Sequence, residues 1–197
     1  QTVFGIGDAS TDTDFYRLLL AGHVGSDPVR WVNRAGGSNA TASTTSGFTA
    51  NTWHLVGAVE AAANSRFIYI DGGSVGTDTT NQTPSNLDIT TISKIARLSS
   101  GGHFSGDIGL VVVWNVVITA AEWAAMAAGD LHPLNVRPES IVAFWYDDRR
   151  GRTDNDLWGN YDMTAYATPT WTDDPPGLQY PQGIVQTDWA QSILQGV

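Results

Sequence analysis

The chain has 197 residues, of which 20 are Asp or Glu and 10 are Lys or Arg, so its formal net charge is −10 at pH 7. This length fits one domain, or two small ones. The negative charge argues against nucleic acids and anionic membranes as partners, because both would repel the chain. The absence of cysteine excludes disulfides, thiolate zinc sites and cysteine nucleophiles.

No apolar run is long enough to form a transmembrane helix. No signal peptide is visible at the start of the chain, so we expect a protein that is processed, incomplete or not secreted by that route. Hydrophobic residues make up 42% of the chain and charged residues 15%, which is typical of a folded globular protein.

Short apolar runs broken by Gly, Ser, Thr, Asn and Asp predict an all-β chain. Apolar residues alternate in 53–59 and 66–70, which indicates half-buried strands, whereas 110–114 is apolar throughout and suits a central strand. The predicted strands are 3–7, 15–21, 29–33, 53–59, 66–70, 93–98, 108–115 and 141–146, with weaker candidates at 162–166 and 169–171.

Two local signals are specific. Asp71, Gly72 and Gly73 supply the positive φ angles of a tight hairpin turn. The alanine-rich stretch 119–128 predicts the one helix, because Thr119 and Glu122 have the spacing of a capping box and a glycine follows the last turn.

The C-terminal part of the chain has a different character. Pro133 and Pro138 bracket an expected extended linker at 132–139, and 147–156 is a charged loop. The last twenty residues have little periodicity but are too apolar for a solvated linker. They need a surface to pack on, either within the chain or on a neighbour.

Four motifs occur in a set order: a Trp-His pair that opens a strand, a Tyr-x-Asp-Gly hairpin, a Phe-x-Gly segment before a strong strand, and a helix that starts Thr-x-x-Glu. They begin at Trp53, Tyr69, Phe104 and Thr119. In this order the chain resembles the laminin G-like, concanavalin A-like jelly-roll superfamily, in its bacterial and phage branch, over about residues 3–129.

The resemblance implies an antiparallel jelly-roll β-sandwich, to which the patterns above add one short helix at 119–128 and an extended C-terminal arm. The sandwich would occupy 1–129, a linker and completing strands 130–176, and an interaction arm 177–197. The strand that usually opens such domains is matched here by 141–146, followed by 156–160. These residues either fold back to complete the sandwich or pair with a neighbouring subunit, and the short connection favours folding back.

Enzymatic chemistry has little support in the sequence. No strand carries the alternating carboxylates that glycosidases on this jelly roll use. No H-E-x-x-H or G-x-S-x-G motif is present. We therefore expect a protein that is not an enzyme and requires no cofactor.

Binding residues are the remaining candidates, and they fall into two groups. Aromatic and aliphatic residues that are less constrained than those in the apolar runs are candidates for ligand or interface contacts: Trp31, Trp158, Trp171, Trp189, Tyr180, Ile193 and Leu194. The resemblance also implies a possible calcium ion at the rim, with Asp8, Asp12, Asp14, Asp71 and Asp107 as candidate ligands. The alternative interpretation of these aspartates is polar turns.

Together these features predict a non-enzymatic structural protein of a virion surface, either capsid-decorating or tail-associated, that also has the potential to bind a glycan. Its expected partners are other copies of itself or other virion proteins, and its expected location is the virion surface or the extracellular space. The alternative is a carbohydrate-binding module or adhesin of a secreted bacterial protein.

Overall fold

The computed structural model describes residues 1–92, 104–146, 156–159 and 161–162. Ten β-strands and one α-helix are assigned in this part of the chain. They are β1 Thr2–Gly7, β2 Phe15–Leu20, β3 Pro28–Ala35, β4 Ser38–Gly47, β5 Val56–Ala62, β6 Ser65–Ile70, β7 Gly73–Asp78, β8 Ile89–Ile92, β9 Leu110–Trp114, α1 Ala120–Ala128 and β10 Ile141–Tyr146.

The strands form three antiparallel sheets. The largest has five strands in the order β4-β3-β2-β1-β8, the second has the order β5-β6-β7, and β9 pairs with β10. The prediction of an all-β sandwich with one short helix is therefore confirmed for the described residues. None of the described helices is long and apolar enough to cross a membrane.

One hydrophobic core lies between the five-stranded and the three-stranded sheets. Strict alternation places Val29 and Trp31 of β3 on this inner face, where they meet Ile68 and Ile70 of β6. Tyr16 of β2 stacks on the Trp31 ring with centroids 5.8 Å apart. This core fixes which face of each strand points outward.

Helix α1 forms a second core on the opposite face of the three-stranded sheet. Its Trp123 and Met126 are buried against Val59 and Tyr69. A Cβ atom at Gly57 would lie 2.5 Å from the Trp123 ring, so only glycine allows this close approach of helix and strand. The predicted capping box is confirmed, because Thr119 and Glu122 bond to each other's backbone N–H groups.

Three strands were not predicted, namely β4, β7 and β8. Strand β4 is composed of small and polar residues that resemble a loop, yet Ala40, Ala42 and Thr44 are buried where it pairs with β3. Strand β5 starts three residues later than predicted because the backbone N–H of Leu55 donates to Asp71 Oδ1 (3.1 Å). The predicted strands 93–98 and 169–171, and 163–166 of another, lie outside the described residues.

The stretch 132–139 is not the extended linker that was predicted. It forms two 3₁₀ turns, Pro133–Asn135 and Pro138–Ser140, because each proline fixes φ at the first position of its turn. Val136 between the turns is 2% exposed and joins the core under α1. The stretch therefore packs on the sandwich and delivers the chain to β10.

Strand β10 pairs antiparallel with β9 of the same chain, from Ile141 opposite Trp114 to Tyr146 opposite Leu110. This pairing is the one that folding back requires, and the choice between folding back and exchange with a neighbour over 139–175 stays a prediction. The division into a sandwich, completing strands and an arm stays a prediction, because 147–155 and 163–197 lie outside the described residues.

Candidate functional site

A short loop after β10 is organised around one buried carboxylate. Asp156 Oδ1 accepts hydrogen bonds from the backbone N–H groups of Phe144 (2.8 Å) and Trp158 (3.0 Å). Its Oδ2 accepts from the N–H groups of Gly159 (3.0 Å) and Tyr161 (3.2 Å). Asp156 is 8% exposed, so one side chain fastens the loop to the edge of β10.

These bonds determine the charge state of the carboxylate. Burial acts to raise the pKa of Asp156, but the four backbone N–H donors together outweigh burial and leave the pKa below its usual value of 3.8. Asp156 is therefore ionised at neutral pH. A charged acceptor strengthens each of the four bonds and makes the loop conformation well defined.

The loop presents three large side chains to solvent. Leu157 is 55% exposed, Trp158 39% and Tyr161 59%. The indole N–H of Trp145 donates to the carbonyl oxygen of Tyr161 (2.9 Å), which adds a second tie between the loop and β10. We call Leu157, Trp158 and Tyr161 the aromatic loop patch. Exposed aromatic side chains on a fixed backbone lose little conformational entropy when they bind a partner.

Glycine at position 159 is required by this geometry. A Cβ atom there would lie 2.6 Å from Asp156 Oδ2 and 2.7 Å from the carbonyl oxygen of Val142. Of the patch, only Trp158 was a predicted contact residue. Leu157 and Tyr161 were missed, and the signal that could have found them is the Asp-x-x-Gly spacing of residues 156–159, which is typical of a carboxylate that caps its own turn.

A large cleft lies elsewhere in the molecule. It has a volume of about 1890 Å³ and runs between the inner face of the five-stranded sheet and β9. Its lining is mostly apolar and includes Phe4, Tyr16 and Leu18. Polar groups gather at Glu60, which also borders the cleft.

Glu60 belongs to a network that joins the two sheets. Its carboxylate accepts hydrogen bonds from the indole N–H of Trp31 (3.0 Å) and from the amide of Asn33 (2.8 Å). The fully buried Arg66 lies 3.5 Å from the same carboxylate and forms a second ion pair with Asp78. Both acids are held by the arginine, which leaves neither in the arrangement of a general acid and base.

This network also explains the position of Trp31, which was the first of the predicted contact residues. Trp31 is 7% exposed and part of the core, and its only polar atom is bonded to Glu60. It is therefore a core residue that contributes to the wall of the cleft and not an exposed contact residue, contrary to the prediction. Trp171, Trp189, Tyr180, Ile193 and Leu194 lie outside the described residues and stay predictions.

Two of the candidate calcium ligands, Asp8 in its own turn and Asp14 across to another loop, accept hydrogen bonds from neighbouring residues. Asp8 accepts hydrogen bonds from the backbone N–H of Ser10 (2.7 Å) and from Thr11, and the bonds from Ser10 lower its pKa. Asp14 accepts from the backbone N–H of Ser85 (3.0 Å), which lowers its pKa as well. Their carboxylates already have partners within the protein.

The other three candidate ligands each have a different environment in the protein. Asp12 is paired with Arg17, Asp71 is bonded to His54, and Asp107 is an exposed residue before β9. Among the described residues, no three His, Cys, Asp or Glu side chains are grouped so that they could hold a metal ion. Calcium binding therefore stays a prediction that needs a direct test.

The pair of His54 and Asp71 has a structural explanation. Nδ1 of the histidine lies 2.8 Å from Asp71 Oδ2, and its Nε2 accepts the backbone N–H of Thr49 (2.9 Å). Both ring nitrogens are thus used to fasten the loop between β4 and β5 to the hairpin turn. Asp71 and Gly72 have φ of 51° and 72°, as the predicted tight turn requires. The prediction was wrong for Gly73, which begins β7 and does not have a positive φ.

Comparison with known proteins agrees with this fold. Residues 1–123 match the family model of the Concanavalin A-like lectin/glucanases superfamily. The chain belongs to this superfamily. No curated protein matches it. Among solved structures it is similar to residues 221–444 of an S-layer domain-containing protein from Clostridium thermocellum ATCC 27405, with 20% identity, a TM-score of 0.36, and coverage of 64% of this chain and 62% of that chain.

Proposed function

We propose that this superfamily member is a non-enzymatic domain of a surface structure, and that it contacts neighbouring proteins of that structure through the aromatic loop patch. The setting that fits best is a virion surface, where it would decorate the capsid or belong to the tail. Its partners would be other copies of itself or other proteins of the virion.

The proposal rests on one loop in which large apolar side chains are exposed while the backbone is held by hydrogen bonds. Leu157, Trp158 and Tyr161 are exposed, yet the backbone beneath them is held by four bonds to Asp156. An exposed apolar group of this kind is costly in water and indicates an interaction site. Trp and Tyr are also the side chains that most often dominate binding at protein interfaces.

The charges support a non-catalytic role. Glu60 and Asp78 are held by Arg66, and Glu122 is held by Arg137 through a bond of 2.7 Å. Each acid thus has a structural partner. Acids that serve catalysis are instead arranged as pairs with separated pKa values around a substrate site.

A glycan is the second candidate partner. The patch offers two aromatic rings, Trp158 and Tyr161, and the exposed Asp162 follows directly as a polar neighbour. Rings that stack on sugars beside polar groups are a common arrangement in carbohydrate sites. This candidate corresponds to a carbohydrate-binding module or adhesin.

The test compares the full chain with the Trp158→Ala and Tyr161→Ala variants, using light scattering over a concentration series. Trp53→Ala is the matched control, because Trp53 is a similarly exposed tryptophan (37%) outside the loop. We expect the wild type and the control to self-associate and the two loop variants to be folded monomers. Self-association that survives both loop substitutions would refute the proposed contact.

A glycan array with and without added calcium separates the second candidate from the first. Binding that is lost in Trp158→Ala but kept in Trp53→Ala, with a monomeric wild type, would favour the glycan. A monomeric wild type that binds no glycan in either condition would contradict both the contact between copies and the glycan. A signal that requires calcium would support the predicted calcium ion.

A further inference from the structure

The loop between β2 and β3 contains a strained peptide bond. Ser26 and Asp27 have φ of 72° and 44°, in the left-handed region that residues with a side chain rarely adopt. In the part of the chain that the structure describes, no other two consecutive residues with side chains both have positive φ. The next residue is Pro28, which begins β3. A proline disfavours non-extended conformations of the residue before it, so Asp27 is strained on both counts.

The end of β4 holds the strained pair in place. The backbone N–H of Phe48 donates a hydrogen bond to the carbonyl oxygen of Asp27 (3.0 Å), and the N–H of Asp27 donates to the carbonyl oxygen of Val24 (3.0 Å). A Cβ atom at Gly47 would lie 1.8 Å from the carbonyl oxygen of Ser26 and 2.8 Å from that of Asp27, so only glycine allows this approach. The surrounding structure therefore maintains a conformation that is unfavourable for the two residues themselves.

The side chain of Asp27 is a nucleophile next to this bond. The residue is exposed, and its carboxylate has no hydrogen bond or ion pair within residues 1–92, 104–146, 156–159 and 161–162. Its Oδ1 lies 3.8 Å from the position of a Cβ atom at Gly22, so the absence of a side chain at Gly22 leaves the carboxylate room to turn. An aspartate carboxylate reaches the carbonyl carbon of its own residue by closing a five-membered ring, and such intramolecular attack has a high effective concentration.

We propose that the chain cleaves its own peptide bond between Asp27 and Pro28. In the first step, a carboxyl oxygen of Asp27 forms a bond to the carbonyl carbon of the same residue, and the bond from that carbon to the Pro28 nitrogen breaks. The carboxyl proton passes to the nitrogen, which leaves as a secondary amine, and a cyclic anhydride remains on Asp27. Water then opens the anhydride to two carboxyl groups. The net reaction is hydrolysis, with one water consumed and no change in oxidation state.

Two features of the structure favour the first step. The N–H of Phe48 is already bonded to the oxygen that gains negative charge when the ring closes, which is the position of a donor that stabilises an oxyanion. The backbone strain is released when the bond breaks, because Asp27 is then no longer held by the proline. The second step needs water, and the exposure of Asp27 provides access for it.

The cleaved chain is expected to keep its fold. Strands β2 and β3, on either side of the bond, pair from Phe15 opposite Arg34 to Leu20 opposite Val29, so the two parts stay associated. Cleavage creates a new C-terminus at Asp27 and a new N-terminal proline. It is a single reaction of the chain on itself, which is compatible with a domain that acts on no other substrate. The inference does not depend on the aromatic loop patch.

Intact-mass measurement under denaturing conditions tests the proposal. The full chain is incubated in neutral and in mildly acidic buffer, both folded and unfolded in urea. We expect two products, 1–27 and 28–197, whose masses add up to the mass of the chain plus one water. Release of the strain should make this cleavage about ten-fold or more faster in the folded chain than in urea. No cleavage, or an equal or slower rate in the folded chain, would overturn the proposal.

Two other bonds of the same chain are internal references. Arg137 also has a positive φ (45°) before a proline, Pro138, but it carries no carboxyl group. We expect this bond to stay intact, and its cleavage at a similar rate would contradict the role of the Asp27 carboxylate. The bond between Asp174 and Pro175 joins the same two residue types, so in urea it gives the rate of an Asp-Pro bond without the geometry of the loop.

Three variants separate the nucleophile from the strain. Asp27→Asn removes the carboxylate, and asparagine tolerates a positive φ, so we expect a folded chain without cleavage. Ser26→Gly keeps the carboxylate but relieves the strain at one position, and should slow cleavage several-fold. Asn51→Gly is the matched control, because Asn51 has a φ of 58° in another loop, and its rate should equal that of the wild type. Circular dichroism confirms folding. Cleavage at the wild-type rate in Asp27→Asn or in Ser26→Gly would contradict the mechanism.

Discussion

Substitution of Asp156 by asparagine tests the feature on which the aromatic loop patch depends. The amide keeps the shape of the side chain but can accept hydrogen bonds only at its oxygen. Two of the four backbone N–H donors, those of Gly159 and Tyr161, would then face an NH₂ group. Hydrogen bonds to charged groups contribute about 1.5–3 kcal/mol each, and bonds at one group are not additive, so we expect a loss of roughly 2–4 kcal/mol.

Thermal unfolding measures this loss. A change of 1 kcal/mol shifts Tm by about 2–4 °C at this chain length, so Asp156→Asn should lower Tm by roughly 5–15 °C. Asp107→Asn is the control, because Asp107 is an exposed carboxylate and its substitution should stay within about 0.5 kcal/mol. A Tm for Asp156→Asn equal to that of the control would refute the view that this carboxylate holds the loop.

The pH dependence gives a second check on the same residue. The native pKa of Asp156 is below the unfolded value of 3.8, so its contribution to stability is complete above that pH and is lost as the pH falls through the native pKa. The difference in Tm between wild type and Asp156→Asn should therefore be largest near neutral pH and narrow in acid. A difference that grows in acid would show that the charge does not stabilise the loop.

Three further substitutions have clear expected outcomes. Gly57→Ala forces a methyl group into the Trp123 ring and should cost about 1–3 kcal/mol in a denaturant titration; a neutral result would show that helix and strand can separate freely. Glu122→Gln should lower Tm at neutral pH and reduce the fall of Tm between pH 4.5 and about 2, because Arg137 lowers the pKa of Glu122 to about 2 and the stabilisation by this one carboxylate is lost on protonation; Tm against pH checks this. Arg66→Met leaves two acids without their cation and should cost about 3–5 kcal/mol of unfolding free energy.

Helix α1 and the turn before β7 could be predicted because each is specified by residues close in sequence. The capping box joins Thr119 to Glu122 only three positions away, and Gly129 ends the helix with a φ of 79°. The turn at Asp71 and Gly72 requires two positive φ angles, which few residue types adopt. Local chemistry of this kind does not depend on the rest of the fold.

Strand β4 was missed for the opposite reason. Most of its residues are Ser, Ala, Asn and Gly, which have low β-propensity, and the segment forms a strand because Ala42 lies against the core opposite Trp31. The backbones of β4 and β7 also lie so close that a Cβ atom at Gly76 of β7 would lie 1.9 Å from the carbonyl oxygen of Ser43 in β4. Packing between sheets is a long-range property that the composition of a single segment does not reveal.

The predicted contact residues show the same difference between local and long-range determinants of structure. Trp31 and Trp158 are alike in sequence context, since each stands near polar residues, yet one is in the core and the other on the surface. The two tryptophans differ in the contacts that position them. The indole N–H of Trp31 donates a hydrogen bond to Glu60, which is 29 residues away in sequence. Trp158 instead follows an aspartate that binds the backbone locally, which leaves its ring outside.

The use of charge in this molecule explains why an aromatic contact is the expected one. Arg66 and Arg137 are paired with acids in the fold, and Arg17 and Arg34 are paired with Asp12. The remaining surface is strongly acidic and repels other copies at low salt. Attraction between copies must then come from apolar contact, and it should strengthen rather than weaken when salt screens the charges. Dissociation of the full-chain oligomer at high ionic strength would contradict this argument.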